Sequence, residues 1–241
     1  MIPIDDHFPS RTPIVIWGIL GLNVALFMAE LRFELTGVLG QFLTTWGIVP
    51  ARIHAIAADA MTGDNPANWV ALIILSLGSI VLSLFLHSSF SQLLGNMLFL
   101  WVFGKSIEEI LGHGRFFLFY LVSGLLTGVA QVLIDPQLTT PLVGSNGAIA
   151  TIIGAYLLSF PKAKIDSILP LAIVFIPVEI PALFYLLWWF VQQVFYGIGQ
   201  LDLGGSINEF SLAYWTHGVG LIVGCALIPL MVKRKPSTAI Y

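Results

Sequence analysis

Long stretches of this chain carry no charge at all. Residues 12–29, 66–104, 116–134, 136–161, 180–201 and 210–232 contain no Asp, Glu, Lys or Arg. Each is long enough for at least one helical crossing, because about 20 apolar residues cover the hydrocarbon core of a bilayer. The chain is 57% hydrophobic and 10% charged, whereas about a quarter of the residues of a soluble domain are charged. In lipid the backbone must satisfy its own hydrogen bonds, and uninterrupted apolar runs do so as helices. The expected class is an all-α polytopic membrane protein. A net charge of -3 and a pI near 5.9 offer no basic face for nucleic acid. The single Cys225 cannot form an internal disulfide. No metal and no cofactor are expected. The first ten residues are acidic where a cleavable signal would be basic, so the first apolar run reads as a retained span.

Basic residues orient the spans, because they collect on the cytoplasmic side. The ambiguous stretch is 66–104, with 39 uncharged residues. One crossing there gives six spans, near 13–31, 88–104, 116–134, 146–161, 180–199 and 211–231. With a cytoplasmic amino terminus, eight basic residues lie inside and only Arg32 and Arg52 outside. Two crossings would put seven of the ten outside. The expected architecture is therefore a six-transmembrane bundle with a long membrane-associated first external loop, residues 69–86 lying in the outer interface. Residues 1–12 form a cytoplasmic segment, 13–231 the membrane domain and 232–241 a basic cytoplasmic tail. The plasma membrane is the expected location.

Polar groups inside spans are costly and so mark candidate sites. His87, Asn96, Asn146 and His217 stand out, all toward the outer ends of the second, fourth and sixth spans. Glu179 falls at the cytoplasmic end of the fifth span, as an ordinary water-facing carboxylate. Asn146, Ala150 and Gly154 share one face of the fourth span, and His217, Gly220 and Gly224 share one face of the sixth. Small-residue stripes let membrane helices approach closely, and packing these two faces together would make Asn146 and His217 neighbours. The stripes read equally as packing alone, with His217 a buried hydrogen-bonded histidine.

Several segments in order resemble the rhomboid family of intramembrane serine proteases. They are FLHSSFSQLLGNMLFLWVFGKSIEEILGHGRFFLFYLVSGL (residues 85–125), GIVPARI (47–53), VGSNGAIATIIGAYLLSFPKAKI (143–165), VEIPALFYLLWWFVQQ (178–193) and AYWTHGVGLIVG (213–224). The resemblance implies a six-span bundle acting on transmembrane segments of other membrane proteins, within the lipid bilayer. It implies a histidine base at His217 and an oxyanion-stabilising amide at Asn96. His87 matches the first histidine of the second-span motif, and Gln92 stands where the family has a second histidine. Gly144 and Gly147 match the two glycines of the G-x-S-G motif, and Asn146 occupies the serine position.

Serine hydrolysis needs a hydroxyl whose proton an imidazole removes, and donors for the developing oxyanion. Gln92 still offers a donor, but the Asn146 carboxamide supplies no such nucleophile. In subtilisin, deleting the nucleophile costs about 10⁶ in turnover. Two readings follow. In the favoured one the chain binds client helices with little or no cleavage. In the other, a one-residue slip brings Ser145 to His217 and the chain is an active serine endopeptidase, although neighbouring helix positions point about 100° apart. A channel or transporter is disfavoured by the lack of paired broken helices.

The charge asymmetry makes a direct prediction. Reporter fusions after Lys105 and after Lys164 should both report cytoplasm, and an external signal at either would show that residues 66–104 cross twice.

Overall fold

A computed structural model describes residues 1–6, 12–63, 65–171, 174–199 and 209–232. Among them the chain runs β1 (Ile2–Asp5), α1 (Ile14–Leu35), α2 (Leu39–Trp46), α3 (Pro50–Thr62), α4 (Pro66–Ser83), α5 (Phe90–Leu111), α6 (His113–Ile134), α7 (Asn146–Ser159), β2 (Lys164–Leu171), β3 (Val174–Pro181), α8 (Ala182–Gly199) and α9 (Glu209–Met231). The expected basic tail beyond Val232 lies outside the described residues.

The centre of the bundle is α7, whose residues from Gly147 to Tyr156 are all buried. Its 14 residues span about 21 Å at about 1.5 Å each, well short of a hydrocarbon core of about 30 Å. Helices α5, α6, α8 and α9 pack around it. Phe103 of α5 meets Tyr156 edge-on with ring centroids 5.1 Å apart. A side chain added at Gly147 would collide with Thr127 of α6. Contact with α9 is the most intimate. A Cβ at Gly220 would lie 2.6 Å from the Gly147 carbonyl oxygen and 2.7 Å from the Ala150 Cβ, while one at Gly154 would strike the Leu221 carbonyl. At Gly224 it would strike the carbonyl of Thr151. The two small-residue stripes therefore pack face to face, backbone on backbone.

Outer helices attach through fewer contacts. Trp17 of α1 stacks at an angle on Trp101 of α5, centroids 4.9 Å apart, and Ile80 of α4 fits against Gly128 of α6. Helix termini are satisfied from neighbouring helices, as they must be where water is scarce. The Glu108 carboxylate of α5 accepts from the Val15 and Ile16 N–H groups at the start of α1, both at 3.0 Å. Arg115 donates to the Met231 carbonyl at the end of α9, at 3.0 Å. Arg52 donates to the carbonyls of Thr44 at 2.7 Å and Gly47 at 2.8 Å, closing the end of α2.

One feature differs from the sequence-based expectation. The chain is not all-α: β1, β2 and β3 form a three-stranded antiparallel sheet in that order. Ile2 pairs with Ile168, and Lys164 through Leu171 pair with Pro181 back through Val174. The hairpin occupies the stretch read as a short connection and the start of the fifth span. Helix α8 accordingly begins at Ala182, and Glu179 lies on β3, paired with Lys164 at 3.0 Å. Lys105 of α5 pairs with Asp5 and Asp6, anchoring β1 beneath the bundle. Residues 69–86, expected in the outer interface with a helical or protein-covered backbone, fall largely on α4, an unbroken 18-residue helix and, among the described residues, one of three with α1 and α6 that are long and apolar enough to cross a membrane. Its Ile73, Ile74 and Leu75 are exposed, so lipid is the solvent that suits it.

The α7–α9 contact yields a stability prediction. Gly to Ala inside a helix ordinarily stabilises by about 0.5–1 kcal/mol, but at Gly224 the added methyl meets fixed backbone. Gly224→Ala should cost about 1–3 kcal/mol, as overpacking does, read as a lowered unfolding midpoint in detergent. Gly21→Ala, with nothing within 4 Å of the added carbon, should leave the midpoint unchanged or raised.

Candidate functional site

Where α7 begins, a cavity of about 180 Å³ opens between four helices. Gln92 and Asn96 line it from α5, Asn146 from α7, Trp189 and Gln193 from α8, and His217 from α9. Sequence reasoning named four of these six. Trp189 and Gln193 were missed, although the run WWFVQQ places an aromatic and an amide four apart, on one helical face.

The start of α7 fixes which side chain faces the cavity. Gly144 has φ +108, a conformation other residues rarely adopt, and a Cβ there would collide with the Gln92 amide. The chain turns at this glycine, Ser145 takes the position before the helix without a side-chain capping bond, and Asn146 opens the helix. Asn146 lines the cavity. Ser145 does not, being fully buried with its hydroxyl beside that of Tyr120, although neither hydroxyl reaches a hydrogen bond of ordinary geometry. Gly147 sits one residue on, against Thr127.

Gln92 joins the two sides of the cavity rim. Its Nε2 donates to the Val143 carbonyl at 2.9 Å, and its Oε1 accepts from the Ser88 N–H at 3.0 Å. One N–H of its amide is thus committed to holding the segment before α7. Asn96 donates from Nδ2 to His87 Nε2 at 3.2 Å. An amide nitrogen can only donate, so the His87 proton sits on Nδ1. His87 precedes α5 and lies outside either flanking helix, fully buried. His87 therefore sits behind Asn96 and orients it, outside the cavity lining.

Behind His87 stands a carboxylate that the sequence reading passed over. Glu30 of α1, 1% exposed, accepts the His87 backbone N–H at 3.0 and 3.2 Å on its two oxygens. The order Glu30, His87, Asn96 runs from α1 to the cavity. On α9 the His217 ring meets Trp189 edge-on, centroids 5.2 Å apart. The cavity thus combines one imidazole with four carboxamides. Ser91 also lines it, with its hydroxyl 3.2 Å from that of Ser89. Among the described residues no cluster of three or more metal-ligating side chains is present.

The Rhomboid domain family matches residues 75–234. Rhomboid protein 1, mitochondrial, of Saccharomyces cerevisiae is 29% identical over 169 residues, covering 68% of this chain and 42% of that protein. Presenilin-associated rhomboid-like protein, mitochondrial, of Mus musculus is 33% identical over 117 residues, 48% of this chain and 28% of that protein. Putative rhomboid protease YdcA of Bacillus subtilis is 31% identical over 113 residues, 45% of this chain and 52% of that protein. The aligned parts span less than half of the first two relatives and about half of the third.

Glu30→Leu should destabilise the folded protein by about 1–3 kcal/mol, because it strands a buried N–H. Glu30→Gln keeps an acceptor and should lose less. Unfolding midpoints in detergent would check both, and equal losses would show that the His87 contact is not what Glu30 provides.

Proposed function

The chain belongs to the rhomboid family of membrane proteins, and from that premise we propose that it receives transmembrane segments of other membrane proteins at the cavity between α5, α7, α8 and α9 and holds them without cutting them. The reading rests above all on Asn146, the residue that opens α7 and lines the cavity with His217. A base beside a carboxamide has no hydroxyl proton to remove, so the acyl-enzyme route of a serine hydrolase has no first step. Oxyanion donors remain in Asn96 and Gln92, which suits them to grip a carbonyl that is never attacked. Ser145, the alternative nucleophile, is buried on the Tyr120 side. Recruiting it would require the turn at Gly144 to be rebuilt.

The charge asymmetry supports a six-span orientation with both termini cytoplasmic, β1 to β3 on the cytoplasmic face and the mouth of the cavity toward the opposite side. In that orientation α4 lies within the outer leaflet. The plasma-membrane location expected from sequence gains no support from the relatives, several of whose names place them in mitochondria.

A fluorophosphonate probe applied to the purified, unmodified chain should give no covalent labelling, since such probes report an activated hydroxyl. Asn146→Ser should introduce labelling that is lost again on adding His217→Ala. Strong labelling of the unmodified chain that vanishes in Ser145→Ala, or in Ser91→Ala, and in His217→Ala would make the protein a protease and overturn the proposal.

A further inference from the structure

Part of the β2–β3 hairpin reaches past the bundle, and its charge is all at the other end. Lys162, Lys164, Asp166 and Glu179 lie at or just before the base of the hairpin, whereas residues 167–178 carry no charge. Lys164 and Glu179 pair there at 3.0 Å with both side chains exposed. Successive side chains point to opposite faces of a strand. One face packs on the bundle through Ile165 and Ser167, both buried. The register puts Ile176 and Val174 on that same face, yet both are exposed. The face therefore continues beyond the bundle that covers its base. Phe175, on the opposite face, is 63% exposed.

The position of the sheet says what lies beside this overhang. The Tyr185 hydroxyl, in the first turn of α8, donates to the Met1 carbonyl at 3.3 Å. The next residue, Ile2, pairs with Ile168 in the middle of β2. The hairpin thus runs beside the first turn of α8 and does not project away from it. At that level α8 turns Leu183, Phe184, Leu187 and Trp188 outward, an apolar surface that in a membrane protein meets lipid. The overhang is continuous with it. An extended segment of another protein is the competing occupant of an open strand edge, but Pro177 and Pro181 on β3 lack N–H groups with which it would pair.

We infer that the β2–β3 hairpin is a lipid-binding element that lies in the boundary between headgroups and acyl chains of the adjoining leaflet, with Val174 and Ile176 directed toward the chains. Full immersion is excluded, because the open edge of β3 carries backbone groups that need water. Interfacial helices bury their apolar face about 5–10 Å into this boundary, and the hairpin is expected at a similar depth. The consequence is positional. β1 is tied to Lys105 of α5 and β3 runs directly into α8, so the sheet holds two cavity-lining helices at a fixed depth. The inference requires only that the chain sits in a membrane, and it stands whether the chain cuts its clients or holds them.

Single cysteines Val174→Cys, Ile176→Cys and Lys162→Cys would be made in a Cys225→Ala background of the full chain and labelled with an environment-sensitive fluorophore. Reconstitution into phosphatidylcholine nanodiscs leaves both membrane faces open to solutes. Iodide then reports water, and lipids carrying a nitroxide at a shallow or a deep position report depth. Labels at Val174→Cys and Ile176→Cys should lose most of the iodide quenching seen at Lys162→Cys, and the shallow nitroxide should quench them more than the deep one. Equal iodide quenching at all three sites would place the hairpin in water and overturn the inference. Stronger quenching by the deep nitroxide would place it in the hydrocarbon core, against the interfacial position. Shielding from iodide and from both nitroxides would mean that protein, such as a second copy of the chain, covers the tip, and lipid would not be its partner.

Discussion

At Gly224 the α9 backbone runs so close to the Thr151 carbonyl of α7 that no side chain fits between them, and the whole site hangs on that approach. Lipid tails are as apolar as leucine, so membrane helices are held by packing and by hydrogen bonds. Glycines at 220 and 224 on one helix and 147 and 154 on the other provide the closest packing available. They bring the outer end of α7 to within one cavity of His217. A bulkier seam would separate Asn146 from His217 before any question of chemistry arose.

Polar groups then set the details. Glu108 caps α1, Arg115 ties the end of α9, and Arg52 closes α2. The Glu108 and Arg115 bonds join elements distant in sequence, while Arg52 reaches back only to the preceding helix, and all three serve as cross-links between helix ends. Near the cavity the order Glu30, His87 and Asn96 does the same work at shorter range. Gln92 bridges to Val143, and Gly144 leaves room for it. Gln92 and Asn146 therefore belong to one consistent rim.

Much of this could be read from the residues. Charge-free runs located the helices, and the small-residue stripes on 146–154 and 217–224 anticipated which two would touch. The sheet was hidden because residues 164–181 are nearly as apolar as the spans beside them, and pairing with Ile2 and Pro3 across more than 160 positions leaves no local mark. Glu30 escaped notice because it falls near the end of an apolar run, where a carboxylate ordinarily meets water. Only the turn before α5, brought against α1 by the fold, makes it a buried acceptor. Gln193 was overlooked for a similar reason: periodicity gives a helix face, and which face meets a cavity depends on neighbours that are not local.

The central claim is that position 146, and not position 145, faces the space a client occupies. Single cysteines placed at each, in a Cys225→Ala background, would be treated with a small water-soluble thiol reagent with and without a bound transmembrane peptide. The account predicts that Asn146→Cys reacts and is protected by the peptide, while Ser145→Cys stays unreactive beside Tyr120. Reaction and peptide protection at Ser145→Cys, with Asn146→Cys silent, would contradict it.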